Sequence, residues 1–143
     1  MRPFVVLLFV FGVREQQPSA EAKDAATFRA ICGACHAPSL VEGLRTEPEW
    51  KDEIDQMIKI GARGTEEQLQ AIMRFLIRTL TKVNVNTAEA RQLAPILDVN
   101  DSVADAIVKR RTAKGPFKTI EDLERVPGLD AAKLEARRDR LLF

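Results

Sequence analysis

The segment Cys32-Gly33-Ala34-Cys35-His36 contains both cysteines and the single histidine of this 143-residue chain. Two thiols separated by two residues can each form a thioether with a vinyl group of one porphyrin, and the adjacent imidazole can then bind the iron from the proximal side. C-x-x-C-H is the attachment pattern of c-type haem. The segment therefore predicts one covalent haem c, held by Cys32 and Cys35, with His36 as an iron ligand.

Two other kinds of site use similar residues. A redox-active dithiol needs only C-x-x-C and leaves the histidine unexplained. A structural zinc ion needs four protein ligands, and the chain has no further cysteine or histidine to supply the fourth. Haem c is the favoured interpretation, and the redox dithiol is its main alternative.

The sixth iron ligand is expected to be a methionine, because the chain has no second histidine. Trp50, Ile54 and Met57 recur at helical spacing and share one face, which suits a helix that lies against a porphyrin. Met73 lies in an aliphatic stripe instead, where methionine commonly fills core space. Met57 is the predicted ligand, Met73 is the alternative, and a different ligand or an open site remains a third case.

Residues 1–22 are predicted to be a signal peptide. Arg2 precedes an apolar run over residues 4–13, which is too short to span a bilayer, since about 20 residues are needed. The small residues of the segment 20–22 offer a cleavage site before Lys23. We therefore expect export, for example to the periplasm, with no stable transmembrane span. An uncleaved, membrane-associated N-terminus is the alternative, because Arg14 directly follows the run.

The rest of the chain is predicted to be all-α, in two small domains over residues 23–82 and 83–143. Capping boxes that start at Thr46 and Thr65 predict helices to about residue 60 and residue 80. Further helices are predicted over 24–30, 87–97 with Thr87 as N-cap, 102–113, 120–125 and 131–142. A short extended link is predicted over 83–86. The net charge of +1, from 22 basic and 21 acidic residues, favours no class of partner.

Residues 24–81 carry a pattern of aromatic, cysteine, histidine and methionine residues: Phe28, Cys32, Cys35, His36, Trp50, Met57, Gly61, Ala62, Glu67, Ala71, Phe75 and Leu76. This pattern resembles small class I cytochrome c domains. The resemblance implies that Phe28 and Trp50 pack against the haem and that Met57 is the axial ligand. It also implies single-electron transfer with a redox partner protein, such as a periplasmic dehydrogenase or a respiratory component. No enzymatic activity is expected, because the motif commits the residues that a Cys/His nucleophile would need.

The second domain contains three motifs: Val83-Asn84-Val85-Asn86-Thr87, the segment 115–123 (GPFKTIEDL), and Val126-Pro127-Gly128-Leu129. They resemble the helix-hairpin-helix pair of ComEA-like competence proteins, which bind DNA outside the cytoplasm. Hairpins of this family hold phosphate with backbone amides at a helix N-terminus. The resemblance and the local basic charge give four candidate DNA or phosphate contacts, which are Lys109, Arg110, Arg111 and Gly128. A second basic cluster comprises Arg137, Arg138 and Arg140.

Both hairpins depart from the glycine-aliphatic-glycine pattern of that family. The first is Asp98-Val99-Asn100, and the second is Gly128-Leu129-Asp130, so carboxylates stand where a phosphate would arrive. A similar pair in an extrinsic lumenal subunit of cyanobacterial photosystem II serves as a protein-docking module. We therefore expect an exported monohaem cytochrome whose second domain docks to a protein partner. A haem-bearing extracytoplasmic DNA-binding protein is the alternative, and a gas or redox sensor is a third hypothesis.

Overall fold

The computed structural model describes residues 17–37, 41 and 43–143. Within these residues the chain forms seven α-helices: α1 (Ala20–Cys32), α2 (Glu47–Lys59), α3 (Glu66–Leu80), α4 (Ala90–Leu97), α5 (Asp101–Lys114), α6 (Ile120–Glu124) and α7 (Ala131–Glu135). A 3-10 turn over Arg138–Arg140 follows α7. Two short strands, β1 (Val83–Asn84) and β2 (Leu141–Leu142), pair in parallel, with Val83 opposite Leu141. The prediction of an all-α chain is confirmed.

The two predicted capping boxes start α2 and α3. The Glu49 carboxylate accepts hydrogen bonds from the Thr46 backbone N–H at 2.7 Å and from its hydroxyl at 2.9 Å. The Gln68 side chain likewise accepts from the Thr65 backbone N–H at 2.8 Å. These bonds satisfy backbone donors that a helix start leaves without intrahelical partners. Both helices begin where the capping boxes predicted.

Three predicted helices differ from the structure. The first is longer than expected, since α1 begins at Ala20 and ends at Cys32. The prediction that Thr87 caps the fourth helix is wrong: Glu89 is the N-cap of α4, and the Thr87 amide donates to the Asn84 side chain at 3.1 Å. The last helix ends at Glu135 and not at 142, because the chain turns so that β2 can pair with β1.

Two hydrophobic clusters share α3 between them. The N-terminal cluster comprises the buried side chains of Phe28, Trp50, Ile72 and Leu76. The C-terminal cluster contains fifteen buried residues between Val83 and Leu141, among them Leu93, Ile107, Phe117 and Leu123. Ile77 of α3 packs against this second cluster. The C-terminal end of α3 therefore belongs to both packing units.

The Val-Asn-Val-Asn motif has an architectural role. The Asn84 side-chain oxygen accepts from the backbone N–H of Asn86 at 2.8 Å and closes a tight turn. The Asn86 amide then donates to the Phe117 carbonyl and accepts from the Phe117 N–H, both at 2.8 Å. This two-point contact joins the start of the domain to the segment before α6.

Most of the predicted signal peptide, including the apolar run over 4–13, lies outside the described residues. The described residues 17–19 precede α1, and residues 20–22 form its first turn. Among the described helices, none is long and apolar enough to cross a membrane.

Candidate haem pocket and helix-hairpin-helix hairpins

An apolar cavity of about 420 Å³ lies between α1, α2 and α3. Six of its lining residues are those that the sequence assigned to a haem: Phe28, Cys32, Cys35, His36, Trp50 and Met57. Aliphatic side chains of α2 and α3, such as Ile54, Leu69 and Ile72, complete the wall. Met73 is not among the lining residues and packs against the N-terminal cluster instead. The fold therefore gathers residues that are up to 29 positions apart in the sequence, Phe28 to Met57, around one cavity.

The residues at this cavity fit a c-type haem. The volume is within the range of about 300–1,000 Å³ that is typical of small-molecule and cofactor sites, and the lining is mostly apolar, as such sites require. His36 Nδ1 lies 3.2 Å from the Ala37 carbonyl oxygen. Because a carbonyl only accepts, this contact needs a proton on Nδ1, which leaves the Nε2 lone pair for a metal.

Cys32 is poorly placed for dithiol redox chemistry. It is the last residue of α1, where the helix dipole disfavours an anion. Burial raises the pKa of the Cys32 thiol above its usual value. Reactive dithiols depend on a thiolate that is stabilised by a helix N-terminus or a nearby cation. The position of Cys32 therefore weighs against the redox-dithiol alternative.

Trp50 forms part of the cavity wall and is held from two sides. Its side chain is 1% exposed, and its Nε1–H donates to the Leu80 carbonyl at 3.2 Å. The Arg45 guanidinium lies 4.7 Å from the centre of the indole ring, on the cavity rim. The indole is therefore held at its Nε1–H by the end of α3 and at its ring face by the Arg45 guanidinium.

Asp24 holds α1 onto α3, a role that the sequence analysis missed. The residue is 5% exposed, and its carboxylate accepts from Arg74 at 2.8 and 3.1 Å and from Arg78 at 2.6 Å. The hydrogen bond from Arg74, with that from Arg78, lowers the pKa of Asp24 despite its burial. Two arginines spaced i and i+4 on the helix that carries the apolar stripe were the available signal for such a contact.

Both hairpins keep the turn geometry despite their altered sequences. Asp98 ends α4 with φ of 56°, and the Asn100 side chain caps α5 by accepting from the Val103 N–H at 3.0 Å. Gly128 has φ of 92°, and a Cβ there would lie 2.6 Å from Val103 Cγ2. Asp and Asn tolerate the left-handed region, which accounts for the loss of glycine in the first hairpin.

The two hairpins face each other across a groove of about 310 Å³. Across it the Asp98 carboxylate lies 2.9 Å from Lys133 Nζ and 3.7 Å from Arg137 Nη2. The hydrogen bond from Lys133 is the main cause of a lowered pKa at Asp98. The carboxylate in the first hairpin is therefore compensated by cations from the second, which reduces the repulsion that the sequence implied.

The basic residues predicted to contact DNA are either exposed to solvent or hydrogen-bonded to backbone carbonyls of the chain. Lys109 is exposed. Arg111 donates to the Val85 carbonyl at 2.7 Å, and Arg110 donates to the Gly115 carbonyl at 3.3 Å while its guanidinium lies over the Phe117 ring. Of the second basic cluster, Arg140 is buried and donates to three backbone carbonyls. These arginines form hydrogen bonds within the fold. Of Lys109, Arg110 and Arg111, Lys109 is therefore the side chain that can contact a DNA phosphate.

Comparison with known protein families assigns the C-terminal part. Residues 79–142 match the family model of the helix-hairpin-helix motif. This part of the chain is a helix-hairpin-helix domain. Such a domain points to nucleic-acid binding. The match begins in the last turn of α3, the helix that the two packing units share.

Three curated relatives illustrate the similarity. A human endonuclease/exonuclease/phosphatase family domain-containing protein 1 is 38% identical over 60 residues, which cover 42% of this chain and 10% of that protein. YdcI of Bacillus subtilis is 29% identical over 98 residues, covering 59% of this chain and 14% of YdcI. A Haemophilus influenzae protein is 40% identical over 63 residues, covering 43% of this chain and 56% of its own length.

The chain spans about a tenth of the length of the endonuclease/exonuclease/phosphatase relatives. No solved structure matches the chain. The family match is confined to residues 79–142, so a haem in the N-terminal half rests on the C-x-x-C-H motif and on the cavity that the motif lines.

Proposed function

We propose that this chain is an exported c-type haem protein that carries single electrons and whose helix-hairpin-helix domain binds DNA. One observation carries the haem part of the proposal: Cys32, Cys35, His36 and Met57 line the same apolar cavity. The helix-hairpin-helix assignment supports the DNA part.

Each cavity residue has a distinct task in this proposal. The Cys32 and Cys35 thiols would hold the haem covalently, while His36 Nε2 and the Met57 thioether would bind the iron. When bound, the haem supplies a one-electron iron couple, and ligation by His and Met raises its potential. Phe28, Trp50 and the aliphatic wall exclude water, which disfavours the more highly charged oxidised state.

We propose no catalytic turnover for the chain. Single-electron transfer requires an electron donor and an acceptor, which we propose to be extracytoplasmic redox proteins such as a dehydrogenase or a respiratory component. Cys35 lines the cavity and is exposed, so such proteins would approach the cavity near this residue.

The haem proposal is tested by expressing the full chain in a periplasm that contains haem-attachment machinery. We expect the intact mass to increase by one haem and the absorption spectrum of the denatured protein to be that of a c-type haem. The double variant Cys32→Ala/Cys35→Ala is expected to retain no covalent haem. Wild-type protein purified from the periplasm with free thiols or a Cys32–Cys35 disulfide, and without the added mass of a haem, would contradict the proposal.

Three features of the structure support DNA binding over the protein-docking function that the sequence favoured. The hairpin turns keep their geometry, the Asp98 carboxylate is paired with Lys133, and both hairpins border one groove. Exposed Lys109 and Lys114 lie on α5, the helix that leaves the first hairpin. Phosphate contacts by lysine supply sequence-independent affinity that weakens with salt.

DNA binding is tested with the full chain and a fluorescent duplex between about 20 and 200 mM salt. We expect binding whose affinity falls steeply with salt, and a shallower salt slope in Lys109→Glu/Lys114→Glu, because each lost phosphate contact reduces the slope by about one. Lys51→Glu, which reverses an exposed charge on α2, is the matched control and should bind as wild type. Absence of binding at about 20 mM salt would restore the protein-docking hypothesis.

A further inference from the structure

The C-terminal end of α3 is capped by a side chain from the far end of the chain. The Arg140 guanidinium, in a residue that is 9% exposed, donates to the carbonyl oxygens of Ile77 and Arg78 at 2.7 Å and of Thr81 at 2.8 Å. A helix leaves its last four carbonyls without intrahelical partners. Arg140 supplies two of these partners and complements the negative end of the helix dipole.

The same helix end is held from the cavity side. The Leu80 carbonyl accepts from Trp50 Nε1–H and from the Arg45 backbone N–H, each at 3.2 Å. The Lys82 N–H donates to the Arg45 carbonyl at 2.9 Å, so Arg45 and Thr81 form an isolated parallel bridge. The segment that Arg140 caps is therefore the segment that positions the Trp50 indole.

We propose that Arg140 is a positioning residue that couples the helix-hairpin-helix domain to the cavity through the end of α3 and the Leu80 carbonyl. A ligand that tightens the C-terminal turn and β2 would then tighten Trp50 in the cavity wall. Coupling between two sites is reciprocal, so a group bound in the cavity would also tighten the C-terminal turn. That the group bound in the cavity is a haem rests on the proposed function, whereas the coupling between Arg140 and Trp50 does not.

The neighbouring Arg138 does not make these contacts to α3. Arg138, two residues earlier in the same 3-10 turn, forms an exposed ion pair with Glu135 at 2.9 Å. Loss of an exposed pair of this kind has little effect on stability. Arg138→Gln therefore removes the same charge from the same turn without touching α3, and it is the matched control for Arg140→Gln.

The experiment follows hydrogen exchange of the Trp50 indole N–H by NMR. Trp50 is the only tryptophan in the sequence, so this signal is unambiguous. We expect Arg140→Gln to speed the exchange by about tenfold or more, because loss of the cap raises the population in which the helix end opens. Arg140→Lys should give an intermediate rate, since lysine keeps the charge but not the three-pronged contact. Arg138→Gln should exchange as wild type.

If Arg140→Gln fails to fold, as shown by loss of its helical circular dichroism signal, Arg140→Lys is the variant that tests the coupling. Unchanged indole exchange in Arg140→Lys and in any folded Arg140→Gln would overturn the coupling. The measurement is made on the full chain as isolated, in its reduced form, and on the full-length Cys32→Ala/Cys35→Ala chain, which cannot attach haem. The second form reports the coupling alone, so its failure is distinct from failure of haem attachment.

Discussion

Replacement of Asp24 by asparagine is expected to destabilise the chain, because it removes the charge that both arginines of α3 contact. The Asp24 side chain is 6% exposed, whereas those of Arg74 and Arg78 are 53% and 27% exposed. Breaking a fully buried ion pair costs about 3–5 kcal/mol. Since the arginines retain contact with water, the cost here is reduced to about 2 kcal/mol, in line with hydrogen bonds to charged groups.

The stability difference between wild type and Asp24→Asn should also depend on pH, in a direction set by the pKa of Asp24. The pKa of Asp24 is lowered in the folded chain, so the unfolded chain binds its proton first as the pH falls. The stabilisation by Asp24 is therefore complete above the unfolded pKa of about 3.9 and is lost as the pH falls below it, through the folded pKa. Asp24→Asn lacks this contribution at every pH. The difference in stability between wild type and variant should consequently shrink in acid.

The assay is urea unfolding followed by the emission of Trp50, which lies in the same cluster as Phe28 of α1. In thermal unfolding followed by the same signal, a loss of about 2 kcal/mol corresponds to a fall in Tm of about 4–8 °C for a chain of this size. Glu21→Gln, which removes an exposed charge from the first turn of α1, is the control and should leave the midpoint nearly unchanged. Equal midpoints for Asp24→Asn and wild type at pH 7, with equal m-values, would refute the argument.

Three further outcomes are expected from the structure. In the haem-loaded chain, Met57→Leu should make the reduced iron bind carbon monoxide readily, whereas Met73→Leu should not, because Met57 lines the cavity and Met73 packs in the N-terminal cluster; the opposite result would assign Met73 as the ligand. Gly128→Ala should destabilise the helix-hairpin-helix domain by about 2 kcal/mol in chemical unfolding, since φ is 92° and the new Cβ would meet Val103; unchanged stability would show that α5 moves away at little cost. In the unloaded chain at pH 7, Cys32 should react with iodoacetamide more slowly than a free thiol, because burial raises its pKa; faster alkylation would revive the redox-dithiol hypothesis.

The sequence was sufficient where the deciding chemistry is local. The capping boxes at Thr46 and Thr65 each involve residues three apart, so α2 and α3 start where the pattern predicted. The haem prediction also depends on five consecutive residues, and it stays a prediction; the structure shows Trp50 and Met57 lining the same cavity as Cys32, Cys35 and His36. The helix-hairpin-helix fold was predictable because three short motifs, over residues 83–87, 115–123 and 126–129, resemble those of the family.

The interpretation of isolated charges from the sequence was less successful. Arg140 was assigned to a basic cluster that could face phosphate, but it is buried against α3. Asp98 was expected to repel a phosphate, but it is paired with Lys133 from the other hairpin. In each case the deciding partner lies 35 or more residues away. A sequence pattern shows which charges are present but not which of them are already compensated.

The starts of α2 and α3 were determined by the sequence alone, because each depends on interactions within a few residues. Haem attachment by the C-x-x-C-H segment stays a prediction. Tertiary structure decided which methionine lines the cavity, how Asp24 joins α1 to α3, and that Arg140 caps the helix whose end holds Trp50. These contacts join groups that are distant in the sequence, and their energies depend on burial and geometry, which exist only after the helices have packed.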